Sequence, residues 1–117
     1  MRVAGFGFRK ATPVGSLRAA LELAGGNVAA LATAEAKVAR LAELAAELGV
    51  PVIGVAVVEM AAQGVSGSDR VKALYGTGSV AEAAALAAAG QGSRLIVARM
   101  TSPDGMAVVA IAEGSGQ

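Results

Sequence analysis

Gly76-Thr77-Gly78-Ser79-Val80-Ala81-Glu82 runs without a break into an alanine-rich segment that ends at Gly90. Ser79 and Glu82 stand in the S-x-x-E relation of a capping box, in which each side chain satisfies a backbone N–H near the other at a helix start. The spacing predicts a helix over residues 80–89, with Leu86 its only large aliphatic beyond the first turn. So thin a helix can lie close against a sheet. Its first N–H groups have no intrahelical acceptor, and Gly76 and Gly78 carry no side chain to keep a phosphate or carboxylate from them. The same glycines can also do no more than turn the chain, and spacing alone leaves both readings open.

Strands are expected on both sides of this helix. Residues 94–99 and 106–112 are apolar runs joined by Ser102-Pro103-Asp104-Gly105, a turn signal that makes them antiparallel neighbours. Upstream, residues 2–8 read as a buried strand running into a loop at Arg9 and Lys10. Thr12 is placed to cap a helix with Pro13 at its first position, lined by Leu17, Ala20, Leu21 and Ala24 and ended by Gly25-Gly26. Residues 28–31 form a short strand, and Thr33 is placed to cap a second helix with Glu35 in its first turn. In that helix Val38, Leu41, Leu44, Ala45 and Leu48 recur on one face, with Arg40, Glu43 and Glu47 on the wet side, and Gly49 and Pro51 close it. Residues 52–57 are an uninterrupted apolar run, as in strands covered on both faces. A short helix through Val71 and Leu74 follows, and residues 113–117 are expected to fray. The expected fold is a single α/β domain over 1–117: a three-layer α/β/α sandwich on a mixed, mainly parallel sheet of about five strands with a C-terminal antiparallel hairpin.

Composition narrows the chemistry. Of the apolar residues 29 are alanine, so the core depends on tight backbone approach more than on bulk. No apolar run reaches the ~20 residues of a bilayer span, and no hydrophobic stretch leads to a cleavage site, so neither a membrane segment nor a signal peptide is expected. The absence of Cys and His removes disulfides, the usual neutral-pH base and most zinc and haem ligand sets. Residues 1–18 hold Arg2, Arg9, Lys10 and Arg18 with no acid, while the remainder, with six basic and nine acidic residues, sums to −3. That asymmetry fits either a local anion site or, for a basic block this small, an ordinary solvated face. A nucleic-acid surface needs a broader basic stripe and usually more aromatics than Phe6, Phe8 and Tyr75.

Parallel crossovers bring the loops after the first three strands to one sheet edge, where open α/β folds bind ligands. Arg9, Lys10, Thr33, Glu35, Lys37 and Glu59 are expected there, with the turn at 76–80 joining them if its helix starts at the same edge. Gly5-Phe6-Gly7 and Gly76-Thr77-Gly78 both resemble pieces of a dinucleotide fingerprint. The first has Lys10 in place of the third glycine, and the second follows a helix rather than a strand. For hydrolysis, Glu35 or Glu59 would serve as the base, Lys37 would hold a carboxylate or lactone carbonyl, and the amides at 78–80 would receive an oxyanion. Each also has a plain structural reading. Ser66 and Ser68, without a His, suit hydrogen bonding better than nucleophilic attack, and Arg9 and Arg99 suit bidentate contact with carboxylates.

Gly5-x-Gly7-x-Arg9, Thr33-Ala34-Glu35-Ala36-Lys37, Glu59, Ser66-Gly67-Ser68-Asp69-Arg70-Val71 and Gly78-Ser79-Val80-Ala81-Glu82-Ala83-Ala84, in that order and spacing, resemble the CobE / CbiG C-terminal domain family of cobalamin (vitamin B12) biosynthesis. The resemblance covers essentially the whole chain. It implies a cytoplasmic protein that needs no cofactor or metal and acts on corrin-ring precursors. The stand-alone form implies binding, delivery or assistance of a precorrin-type tetrapyrrole in the aerobic route, with precorrin methyltransferases or other pathway enzymes as partners and neither nucleic acid nor membrane. The longer members imply the alternative, a hydrolase or lyase that opens a ring-attached lactone with loss of a two-carbon fragment, for which Glu59, Glu35 and Lys37 are the catalytic candidates. The ligand-binding candidates are Gly7, Arg9, Lys10, Thr33, Lys37, Ser66, Ser68, Gly76, Gly78, Ser79, Val80 and Arg99.

Overall fold

The computed structural model describes residues 1–9, 11–56, 79–90 and 92–114. In chain order the elements are β1 (Arg2–Phe8), α1 (Val14–Leu23), β2 (Ala30–Ala34), a 3-10 turn (Glu35–Lys37), α2 (Val38–Leu48), β3 (Val52–Val55), α3 (Ser79–Ala89), β4 (Arg94–Thr101) and β5 (Ala107–Glu113). The five strands form one sheet in the order β3-β2-β1-β5-β4. β1 pairs with β2 and β2 with β3 in parallel, while β5 runs against both β1 and β4, so four strands point the same way. This is the expected mixed, mainly parallel sheet with its C-terminal hairpin. Among the described residues no helix is long and apolar enough to cross a membrane.

Side chains alternate across the sheet, and the two faces are packed differently. Phe6, Phe8, Leu31, Val109 and Ile111 meet Leu17, Leu21, Leu41 and Leu44 of α1 and α2 in a bulky layer. Val3, Ala30, Ala32 and Val55 meet Ala83 and Ala84 of α3 in a thin one. Gly5 lies at the centre of the thin layer. A Cβ there would overlap the Ala81 carbonyl oxygen and come within 2.5 Å of the Ala85 nitrogen and 2.9 Å of its Cβ. α3 therefore rests on the backbone of β1.

Several local expectations change. Thr12 is fully buried and its hydroxyl donates to the Met106 carbonyl at 3.2 Å, so α1 starts at Val14 with Pro13 just ahead and without a side-chain cap. Thr33 is likewise buried, within β2, where its hydroxyl donates to the Phe6 carbonyl at 2.9 Å. The second helix consequently begins through the 3-10 turn, also without a side-chain cap. In both cases a threonine beside a helix start ties strands and loops together. β2 begins at Ala30 rather than at Val28, which packs against the core from outside the strand. β3 is the last strand in the order, with Val52 half-buried against the α1 and α2 layer and Ile53 and Val55 against the α3 layer, so both of its faces are covered, the outer positions only in part. Leu48 is also largely exposed. Glu113, expected in a frayed tail, is the last residue of β5 and pairs with Arg2 and Arg94. The C-terminus of α2 ends as its sequence suggests: Gly49 adopts φ 71° and the Val50 N–H returns to the Ala45 carbonyl, a Schellman closure. Residues 57–78, among them the short helix expected through Val71 and Leu74, lie outside the described residues, as do 115–117.

The β4–β5 turn is tied to α1. Asp104 accepts hydrogen bonds from the hydroxyls of Ser102 and Ser16 and, at 3.0 Å, from the Met106 N–H. The Ser102 hydroxyl, the Ser16 hydroxyl and the Met106 N–H, in that order, hold the Asp104 carboxyl at about 2, below its ordinary value of 3.8.

Gly5→Ala drives a methyl into the α3 backbone and is expected to destabilise by about 3 kcal/mol, the upper part of the overpacking range. Gly15→Ala, on α1 with nothing within 4 Å of the new Cβ, is expected to stabilise by roughly 0.5 kcal/mol; urea unfolding of the two variants measures both. The folded-state pKa of Asp104 lies below the unfolded one, so its contribution is fully present above about pH 4 and is lost as pH falls through about 2. Asp104→Asn should therefore lower the thermal midpoint at pH 7, and the gap from the parent should narrow as pH falls below about 4 and close below about pH 2; a gap constant across that range would refute the assignment.

Candidate functional site

Parallel order fixes where the loops emerge. β1, β2 and β3 all end at one sheet edge, and the segments that follow β1 and β2 leave from it. Ala81 and Ala85 of α3 lie over Gly5, whereas the Ala89 carbonyl lies beside Gly114, whose N–H bonds to the Met1 carbonyl at the start of β1. α3 thus runs antiparallel to β1, and its first turn opens on the same edge as the loops. The β4–β5 turn closes there too, because Ala107 pairs with Phe8.

Arg9 is exposed directly after β1, and Gly7 is half-buried opposite Val108. Lys37 is half-buried: its ammonium donates to the Phe8 carbonyl and lies 5.4 Å from the centre of the Phe8 ring. One N–H and the ring face thereby hold the cation in place while two N–H groups remain. Glu35 is exposed, and its turn crosses β3 where Gly54 leaves room; a Cβ there would sit 3.0 Å from Val38 Cγ1 and 3.4 Å from Glu35 Cα. Thr33 is at this edge but beneath its surface. Ser79 contributes the first residue of α3, and Val80 packs half-buried against the alanine layer. Arg99 is exposed on β4, where the ladder with β5 shifts register between Val97 and Met100; its backbone N–H donates to Glu82 Oε2 at 3.2 Å. Glu82, expected as half of a capping box, thus links the start of α3 to the neighbouring strand. Lys10, Glu59, Ser66, Ser68, Gly76 and Gly78 lie outside the described residues.

Sequence reasoning missed the cleft that opens between α1 and α2. It has a volume of about 370 Å³ and is lined by Phe8, Val14, Ala36, Lys37, Arg40 and Glu43, with Ala39 on the same wall. Arg40 and Glu43 had the appearance of an ordinary solvated helix face. Their signal was the spacing from Lys37, three charged residues at i, i+3 and i+6 with alanines between. The edge and the adjoining cleft are of mixed sign: Arg9, Lys37 and Arg99 share the edge with Glu35, Glu82 and Asp104, and Arg40 and Glu43 line the cleft. Separated cations among acids suit a ligand with several discrete anionic arms better than a continuous polyanion.

The comparisons with known proteins agree with one another. Residues 2–112 match the family model described as cobalamin synthesis G C-terminus. The crystal structure of cobalamin biosynthesis protein chiG from Agrobacterium tumefaciens str. C58 is 35% identical with a TM-score of 0.72, over 98% of this chain and 99% of that one. CobE, described as a protein from the cobalamin (vitamin B12) biosynthetic pathway, is 32% identical with a TM-score of 0.75, over 96% of this chain and 89% of that one. A Sulfolobus solfataricus structure described as a cobalamin biosynthesis protein G homologue shares the fold at 21% identity and a TM-score of 0.71, with 99% of this chain matched to 37% of that one. A search of curated proteins gave no significant match. A family match across almost the whole length, joined to the same fold in two relatives above 30% identity, places this chain in the cobalamin biosynthesis G C-terminal family, together with CobE.

Proposed function

We propose that this protein binds a precorrin or hydrogenobyrinic acid type tetrapyrrole at the C-terminal edge of its sheet, in the cytoplasm, and delivers it to another enzyme of the aerobic route to cobalamin. The observation that carries this reading is that the first turn of α3 and the loop cations Arg9 and Lys37 come from opposite faces of the sheet to one edge. Such a ligand is a flat apolar ring with acetate and propionate arms around its rim. Guanidinium groups, an ammonium and the orphan N–H groups of a helix start are the donors those arms need. Glycine and alanine around them leave a smooth surface for the ring. Glu35 and Lys37 serve binding in this scheme, Glu35 by setting the spacing between carboxylate arms and Lys37 by receiving one. The receiving partner is taken to be a precorrin methyltransferase, which would co-purify with this protein more tightly when the tetrapyrrole is present.

Titration with hydrogenobyrinic acid, followed by absorbance and by backbone amide chemical shifts, tests the proposal. Micromolar binding is expected, with shifts at Arg9, residues 34–37, residues 79–82 and Arg99. Arg9→Gln should weaken it about tenfold, one charge-assisted hydrogen bond, and raised salt should weaken it further. Absence of binding, or shifts confined to the opposite edge around Gly25, Gly49 and Gly90, would overturn the reading. Release of acetaldehyde from a lactone-bearing precorrin, lost in Glu59→Gln, would replace delivery with the hydrolase or lyase alternative.

A further inference from the structure

We propose that the cleft between α1 and α2 is a subsite for a single carboxylate-bearing arm, selecting a carboxylate at its Lys37 end and a hydrogen-bond donor at its Glu43 end. This rests on the reading that the edge binds an acidic tetrapyrrole, and beyond Lys37 it assigns Val14, Ala39, Arg40 and Glu43, which that reading does not use. The volume of about 370 Å³ is at the small end of ligand pockets, enough for one ring with its arm and too little for a macrocycle. The ring of Phe8, Val14, Ala36 and Ala39 give an apolar wall for the arm's methylene stem.

Charge along the cleft is graded. Lys37 stands at the β1 end, where the Phe8 carbonyl and ring hold its ammonium in place before any ligand arrives. Less side-chain freedom is then lost on binding. Arg40 follows at the next turn of α2 with a planar fork matched to a carboxylate. Glu43 lies a further turn along, about 9 Å from Lys37 at 1.5 Å per residue. A carboxylate at Lys37 and Arg40 is attracted, and one at Glu43 is repelled, whereas an amide or pyrrole N–H there finds an acceptor. The cleft thus accepts one anionic arm and discriminates against two side by side.

The test uses the full chain with two binding probes, hydrogenobyrinic acid and 3-phenylpropionate, the latter a lone aromatic ring with one carboxylate arm, and with phenylmalonate as the two-carboxylate comparison. Both are expected to shift the amides of Val14 and residues 36–43, with phenylpropionate binding at about 1 mM for its size. Arg40→Gln should weaken both about tenfold, Glu43→Gln should remove the discrimination against phenylmalonate relative to phenylpropionate, and Ala39→Leu should exclude phenylpropionate by filling the cleft. If the tetrapyrrole binds with residues 39–43 unmoved and with affinity unchanged in Arg40→Gln and Ala39→Leu, the subsite is refuted while the proposed function stands. If phenylpropionate occupies the cleft and the tetrapyrrole does not bind, the subsite stands and the proposed function falls. Failure of both probes refutes both.

Discussion

The contact between Gly5 and the backbone of α3 is the constraint on which the arrangement depends. A helix can approach a sheet this closely only where the strand presents no Cβ and the flanking positions present small ones. Ala110 is paired with Gly5 and Ala112 with Val3, so β5 continues the small surface that Ala30 and Ala32 provide on β2. The alanines of α3 are the matching half. Because the helix is seated on β1 by shape, its axis is set along the strand, and its first turn is carried to the edge where the parallel strands end. On the other face leucine and phenylalanine fill the wider space under two helices.

That edge is built from segments remote in sequence and bound to one another by polar ties. Thr33 fastens β2 to β1 through the Phe6 carbonyl, and Lys37 fastens the start of α2 to the Phe8 carbonyl. Thr12 and Ser16 fasten the start of α1 to the hairpin through Met106 and Asp104. Glu82 fastens the start of α3 to β4 through the Arg99 N–H. Each tie satisfies a polar group that the end of a strand or a helix would otherwise leave to water. Together they hold the described segments of this edge in one geometry, which reduces the ordering that the proposed binding requires.

Much of the fold was legible because periodicity is a local signal. The apolar run of β1, the helical recurrence of Leu41, Leu44 and Ala45, and the Ser102-Pro103-Asp104-Gly105 turn each declare themselves within a few residues. The threonines were misread for the same reason. Thr12 and Thr33 precede helical patterns, and only the tertiary contacts with Met106 and Phe6 show that their hydroxyls are used across the sheet. Leu31-Ala32-Thr33-Ala34 did hold a clue, since a β-branched residue continuing an apolar run suits a strand. Gly5 read as part of a nucleotide fingerprint, and its true counterpart was the alanine run some eighty residues away, a pairing of shapes invisible to spacing. Of the candidate site, the shared edge and the positions of Arg9 and Lys37 there followed from the parallel order of the first three strands. The cleft did not, because Phe8, Val14 and Arg40 belong to three elements whose meeting depends on how α1 and α2 pack.

The hydrogen bond between the Gly114 N–H and the Met1 carbonyl, 2.8 Å long, has a practical corollary. It brings the first and last strands' outer ends within one residue of each other on the side of the sheet remote from Arg9 and Lys37. A dye, an affinity handle or a surface tether attached at either place would face away from the mouth. The protein can therefore be immobilised or labelled with the edge that carries Arg9 and Lys37 turned toward bulk solution, the orientation in which the proposed binding and handover are tested directly.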